Sequence, residues 1–193
     1  ACVKEGIKPV IGCEVYVAPR TRFDKVHELD SEARHPILLC KNGEGYRNLS
    51  YMVSRAFLEG FYIKPRIDLD LLREHSKGLI ALSACLAGEI PRRLRNGDYN
   101  GAKEYALTLS DIFGPEHFYL ELQDHGIRDQ AVVNKGILRL HRHLLALIHD
   151  INLLRTAVRL NRNIPINLVT DIIHTNHIRL LMGYKNNIRM IPA

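Results

Sequence analysis

Five side chains spread along the sequence belong to the residue types that bind metal ions. Cys85, His125 and His174 each follow a short apolar segment, at the point where a strand is expected to end. Glu14 lies inside the first such segment and His35 opens the second. Functional side chains gather at the carboxyl ends of strands in parallel α/β proteins. Because thiolate, imidazole and carboxylate are the usual ligands of zinc, and the last two also suit manganese or iron, the pattern indicates a metal site.

Each of these residues also has a purely structural interpretation. Cys85 could be a small buried apolar residue, the common fate of a free cysteine. His125, inside an Asp-His-Gly tripeptide, could belong to a turn. Glu14 could point outward from an edge strand, His35 could lie in a surface loop, and His174 could be exposed. The wide spacing of the five residues is normal for a site assembled by a barrel but does not prove one, and spacing alone favours the structural interpretation of each residue taken singly.

Two further motifs favour structural roles. Asp68 and Asp70 form a carboxylate pair, but they precede the helix-like segment LLREHSKG, so an N-cap with favourable acid placement is expected. The segment NGEGY, at 42–46, has two glycines but lacks the Lys-Ser/Thr of a phosphate-binding loop, and predicts a turn.

The elements that must position the five residues form an alternating pattern. Several apolar segments are nearly continuous, which is typical of parallel strands covered on both faces. The predicted strands are 8–18, 35–42, 77–85, 117–124 and 165–174. Predicted helices cover 44–60, 98–114 and about 135–162. In the first, Leu49, Val53, Ala56 and Phe57 share one face, and Asp98 is the expected N-cap of the second. The polar 18–34 segment predicts a loop. Strands that alternate with helices indicate βα units in a parallel sheet or barrel.

Composition places the chain among ordinary globular proteins. The 193 residues are 46% hydrophobic and 25% charged, enough for one packed domain or part of a larger one. No apolar run approaches the roughly 20 residues that a membrane-spanning helix needs, so no membrane partner is expected. Four cysteines without a CxxC pair favour reduced thiols in the cytoplasm. Residues 141–193 hold seven Lys/Arg and two Asp/Glu, a basic tail that suits either nucleic acid or a solvated face.

Long motifs in the sequence closely resemble the PHP (polymerase and histidinol phosphatase) domain of bacterial DNA polymerase III alpha subunits. The resemblance runs from about Gly6 to Leu140. The motifs that carry it are GIKPVIGCEVYVAPRTRFDK, HPILLCKNGEGYRNL, EGFYIKPRIDLDLL, GLIALSACLAGEIPRRL and HFYLELQDHG.

The resemblance implies a fold and a metal site. The fold would be α/β, a partial distorted βα barrel that is TIM-like, with parallel strands and flanking helices and with its N-terminal strands missing. Glu14 matches the acid of the family's second motif and His35 the histidine of the third. Cys85 and His125 match two further ligand positions, and His174 fits a later one. Divalent ions, zinc or manganese, would occupy this site, with magnesium serving the parent polymerase.

The resemblance also implies a function. The chain would be a fragment of the replicative polymerase, a DNA-directed nucleotidyltransferase, and would cover part of a phosphoesterase module like a 3′–5′ exonuclease. Its partners would be DNA and replisome subunits such as the proofreading exonuclease. Two alternatives remain open: a stand-alone PHP-type metal phosphoesterase, and a catalytically silent scaffold for the polymerase or its proofreading partner.

The sequence departs from the family pattern at both ends. The family's opening His-x-His motif is absent, which indicates a fragment. We therefore expect a PHP portion over 1–140 and a divergent or atypical segment over 141–193, which could complete the barrel with strand 165–174. In that segment Asp171 and His174 are three positions apart, whereas the family places the two ligands two apart.

Overall fold

The computed structural model describes residues 2–114 and 116–143 fully, and the backbone alone of 179–184 and 187–191. The chain divides into two units, Ala1–Leu82 and Ser83–Ala193. The predicted strand 165–174, with His174, lies outside the described residues, and the predicted division of the chain near residue 140 stays a prediction.

The first unit contains a short antiparallel sheet and one parallel strand pair. Its elements are a 3₁₀ turn at Cys2–Glu5, β1 (Gly12–Glu14), β2 (Tyr16–Val17), α1 (His27–Asp30), β3 (Ile37–Cys40), α2 (Gly43–Leu58), β4 (Arg66–Ile67), α3 (Leu69–His75) and β5 (Leu79–Leu82). Strand β3 pairs with β1 and with β5, antiparallel in both cases. Strands β2 and β4 pair in parallel.

The expectation of parallel strands is therefore wrong for β1, β3 and β5. A nearly continuous apolar run does not by itself fix strand direction, and among the three strands only β5 is largely buried. The chain reverses between β1 and β3 because the 18–34 loop closes on itself. Val17 and Arg34 exchange two backbone hydrogen bonds, of 2.6 and 2.9 Å, at the neck of this loop. We call this pairing the loop neck.

Helix α2 begins earlier than the glycine pattern predicts. The Asn42 side chain accepts a hydrogen bond from the Gly45 backbone N–H at 3.0 Å, so NGEGY starts a helix and is not a turn. Gly45 is required there because a Cβ would overlap the backbone carbonyl of Gly78. The predicted apolar stripe is correct at Leu49 and Ala56, but Phe57 is 58% exposed.

The 18–34 loop, apart from the one-turn helix α1, lacks regular structure, as predicted, yet a buried arginine fastens it. Arg66 is 0% exposed and donates to four backbone carbonyl oxygens. Burial lowers the pKa of its guanidinium, and the nearby Asp30 carboxylate opposes that effect. Asp30 in turn accepts hydrogen bonds from Arg20 and from the Val26 backbone. The loop is thus held from inside.

The second unit combines helices with parallel and antiparallel strands. Its elements are α4 (Glu89–Arg95), α5 (Tyr99–Phe113), β6 (Phe118–Gln123), α6 (128–143 within the described part), β7 (Arg179–Tyr184) and β8 (Asn187–Ile191). Strands β6 and β7 pair in parallel, and β7 and β8 pair antiparallel. The buried side chains Leu109, Phe118, Leu120, Ile137 and Leu140 form the core of this unit.

Two predicted helix caps are confirmed. Asp68 accepts from the Leu71 N–H at 2.9 Å and begins α3, and Asp98 accepts from the Gly101 N–H at 2.9 Å and begins α5. Across the part of the chain that the structure describes, we find no helix that combines the length and the apolarity of a membrane span. The result is a mixed α/β architecture with parallel strands and flanking helices.

Candidate metal centre

The first unit brings two of the predicted ligands together. The Glu14 Oε2 atom lies 3.8 Å from the His35 Nε2 atom. The carboxylate is 47% exposed and the imidazole 12%, so the pair lies at the surface with the ring mostly covered. Backbone pairing sets this geometry, because Glu14 lies opposite Ile37 and the Val15 N–H donates to the Pro36 carbonyl at 3.1 Å. The two side chains therefore form a carboxylate–imidazole pair, which we call the Glu14–His35 pair.

Tyr16 supports this pair and was missed by the sequence reasoning. Its hydroxyl donates to the Glu14 Oε1 atom at 3.3 Å, and its ring meets the His35 ring edge-on with centroids 6.0 Å apart. The Lys64 Nζ atom lies 4.2 Å from the centroid of the Tyr16 ring. Residues two apart on a strand share a face, so the Glu-Val-Tyr spacing could have indicated that Tyr16 lies beside Glu14.

Cys13, next to Glu14 in the sequence, is held as a thiol. Its Sγ–H donates to the Glu14 backbone carbonyl at 3.2 Å. Burial and the negative charge of Glu14 both raise the pKa of the Cys13 thiol. Since the thiolate is the metal-binding form, Cys13 is a poor ligand beside the pair.

In the second unit, Cys85 lines a small cavity with mixed polar and apolar walls. The residue before it, Ala84, has φ +62°, a left-handed conformation that turns the chain sharply after β5. The cavity, of about 10 Å³, has room for about one water molecule. Glu121, Gln123 and Gln130 also line it.

Glu121 brings an unsatisfied carboxylate oxygen to this cavity wall. Its Oε1 atom accepts from the Gln123 Nε2 atom at 2.6 Å, and its backbone N–H donates to the Ser83 Oγ atom at 2.8 Å. Its Oε2 atom is buried and has no hydrogen-bond partner among the described residues. An unpaired buried carboxylate oxygen is costly, so this group is chemically suited to a proton donor or a cation. No sequence pattern distinguished Glu121 from other strand residues.

His125 is positioned by a buried glutamine. The Gln130 Oε1 atom accepts from the His125 backbone N–H at 2.8 Å, and the Gln130 Nε2 atom lies 2.9 Å from the His125 Nδ1 atom. Gln130 is 4% exposed, whereas the His125 side chain is exposed. The turn interpretation of His125 is also correct, since the Asp124 side chain accepts from the Gly126 N–H at 3.2 Å and Gly126 has φ +74°.

The predicted ligands thus occur in two sets. The Glu14–His35 pair belongs to the first unit, and Cys85 and His125 both lie beside Gln130 in the second. Within the residues that the structure describes, no three His, Cys, Asp or Glu side chains are close enough to hold a metal ion together. The donor types still fit divalent cations, because a carboxylate faces an imidazole in one set and a buried carboxylate oxygen is unpaired in the other.

Comparison with known proteins identifies the family. Residues 1–125 match the family model described as the PHP domain. The chain therefore belongs to the PHP-domain family.

Several curated relatives share one name. The chain is 47% identical over 133 residues to the DNA polymerase III subunit alpha of Treponema pallidum. The aligned region covers 68% of this chain and 11% of that protein. It is 46% identical over 142 residues to the same subunit of Borreliella burgdorferi, covering 73% and 12%. It is 47% identical over 132 residues to that of Thermus aquaticus, covering 67% and 11%. The chain spans about a tenth of the length of these relatives.

Proposed function

We propose that the chain is part of the PHP domain of a bacterial DNA polymerase III alpha subunit and contributes to a metal-dependent phosphoesterase site. The family match and the shared name of the relatives support this assignment. The parent protein would be a DNA-directed DNA polymerase, a cytoplasmic enzyme that acts on DNA with magnesium. Its partners would include other replisome subunits such as the proofreading exonuclease.

The observation that carries the proposal is the Glu14–His35 pair. A carboxylate 3.8 Å from an imidazole nitrogen offers two donor types that zinc and manganese accept. The Tyr16 hydroxyl fixes the Glu14 carboxylate through one oxygen and leaves the other toward His35. The exposed Lys64 ammonium, above the Tyr16 ring, adds positive charge that attracts an anionic phosphate.

Glu14, His35, Cys85, His125 and His174 would hold the ions. When bound, such ions polarise phosphate oxygens and lower the pKa of a water toward neutrality. The residues of this chain contribute orientation. Tyr16 restricts the carboxylate of Glu14, and Gln130 restricts the ring of His125. In this proposal the scissile phosphate binds beside the Glu14–His35 pair and the reaction is 3′–5′ hydrolysis of a phosphodiester.

Metal content and hydrolysis test the proposal together. We expect the purified chain to bind Zn²⁺ or Mn²⁺ by elemental analysis, and we expect Glu14→Gln and His35→Ala to weaken that binding at least about tenfold. Glu104→Gln, the same change on an exposed residue of α5, should leave it unchanged. Release of a 3′-terminal nucleotide from labelled single-stranded DNA should follow metal content across the variants. Less than one tightly bound ion per chain would refute both the proposed metal-dependent site and the alternative of a stand-alone phosphoesterase.

A silent scaffold is the second candidate. It is favoured by the separation of the ligands into pairs, with no group of three among the described residues. In that case Glu14→Gln and His125→Ala would leave the free energy of unfolding unchanged, and neither the natural chain nor the variants would hydrolyse DNA. Primer extension by this chain should be blank under both candidates, and observed extension would overturn the assignment to the PHP domain alone.

A further inference from the structure

The contact between Gln130 and His125 determines which ring nitrogen carries the proton. A primary amide has one accepting oxygen and one donating nitrogen. The His125 backbone N–H can meet only the oxygen, at 2.8 Å, so the amide orientation is fixed. The amide nitrogen then faces Nδ1 at 2.9 Å and must donate to it. Because Nδ1 is an acceptor, the neutral ring carries its proton on Nε2.

This arrangement opposes metal binding by His125. A metal ion takes a ring lone pair, and histidine ligands commonly donate their other ring N–H to a carboxylate or carbonyl oxygen. Here the Nδ1 lone pair is occupied by Gln130 and the Nε2 atom carries hydrogen. Turning the amide over would place its NH₂ group against the His125 backbone N–H, two donors facing each other. Burial of Gln130, at 4% exposure, leaves little water to replace the lost bonds.

We propose that Gln130 is a positioning residue that holds His125 in the Nε2–H tautomer and so makes His125 the weakest ligand of the metal site. The metal-binding part of this inference rests on the proposed function, whereas the tautomer does not. A metal ion would engage His125 only after the ring had exchanged its proton between nitrogens and given up the Gln130 amide. The metal-free chain would instead present an N–H donor to an anionic oxygen.

Gln130→Glu is the matched test, because it keeps the size of the side chain and replaces the donating NH₂ group by an accepting oxygen. A carboxylate can accept both from the backbone N–H of His125 and from Nδ1–H, which leaves the Nε2 lone pair open. We expect long-range ¹H–¹⁵N NMR spectra of the metal-free chain at about pH 8 to show Nε2–H in the natural sequence and Nδ1–H in Gln130→Glu. His125→Ala assigns the signal. Nδ1–H in the natural sequence, or no change in the variant, would overturn the proposal.

Metal affinity gives the second measurement. Calorimetry should show Zn²⁺ and Mn²⁺ binding about tenfold more tightly to Gln130→Glu than to the natural sequence. Val132→Glu, which adds the same charge at an exposed position of α6, should give no such gain. The gain should vanish in the double variant with His125→Ala. A gain that survives His125→Ala would refute the role of Gln130.

The two proposals fail in different ways. If neither the natural chain nor any variant binds Zn²⁺ or Mn²⁺, the metal site is wrong, and the NMR spectra decide the role of Gln130 alone. If the metal binds, but His125→Ala in the natural sequence weakens it as strongly as Glu14→Gln does, His125 is a full ligand and the proposed opposition by Gln130 is wrong.

Discussion

Replacing Arg66 by methionine tests whether the buried arginine holds the first unit together. The Nε atom donates to the Gly60 carbonyl at 3.1 Å and the Nη1 atom to the Asp30 carbonyl at 3.0 Å, both in a buried environment. The Nη2 atom donates to the carbonyls of Asp24 at 2.8 Å and Arg22 at 3.4 Å, where water has partial access. Methionine fills similar space and donates none of these bonds.

The magnitude follows from the two buried bonds. A hydrogen bond from a charged group contributes about 1.5 to 3 kcal/mol, and a buried carbonyl left without a donor bears its full desolvation cost. Two such bonds give an expected loss of about 3 to 6 kcal/mol in the free energy of unfolding. The partly exposed bonds add little, because water can replace them. Arg66→Lys should lose nearly as much, since one ammonium cannot reach carbonyls on opposite sides.

Urea denaturation followed by circular dichroism measures this loss. Arg73→Met is the matched control, because Arg73 is 52% exposed and its Nη1 atom pairs with the exposed Asp70 carboxylate at 2.6 Å. A surface pair of this kind contributes at most about 1 kcal/mol. If Arg66→Met costs no more than Arg73→Met, the carbonyls around Arg66 find other partners and the reasoning is wrong.

Four further outcomes can be measured. Gly60→Ala should lower the free energy of unfolding by about 3 kcal/mol, because a Cβ there overlaps the Arg66 carbonyl. Gly97→Ala is the control, because Gly97 has φ +79° and open space around it. That change should cost about 1 kcal/mol in the same urea denaturation. Cys13 should react with iodoacetamide more slowly than the exposed Cys2, with a rate that keeps rising above the usual thiol pKa, because burial and a neighbouring carboxylate raise its pKa. The same shift favours the protonated thiol in the folded state, so this contribution to stability should be lost as the pH rises through the folded pKa. Adding Mn²⁺ should raise Tm and chelation should reverse the rise, and an unchanged Tm would contradict the metal proposal.

Local signals in the sequence predicted local structure well. Asp68 and Asp98 were expected at helix starts, and each side chain caps a helix as its type suggests. Four of the five predicted strands contain strands of the structure, and the fifth lies outside the described residues. These successes depend on neighbours within about four positions along the chain, which is the distance over which capping and alternation act.

Features that depend on distant residues were not predictable in the same way. The prediction of strand direction was wrong because the chain reverses at the loop neck before β3, and the apolar pattern carries no information about that reversal. Arginine is usually exposed, yet Arg66 is fully buried and donates to four backbone carbonyls. Gln130 carries no motif, and its role appears only when α6 packs beside His125. The resemblance, and not the spacing, predicted that Glu14 and His35 belong to one site.

The Arg66 anchor has a consequence for how the 18–34 loop meets proteases. The loop contains four bonds that trypsin recognises, after Arg20, Arg22, Lys25 and Arg34. Cleavage requires a segment to detach locally into an extended form, and the hydrogen bonds to Arg66 oppose that detachment. Trypsin cleavage at these four bonds would therefore show that the hydrogen bonds between the loop and Arg66 have broken. It would do so before the rest of the unit unfolds.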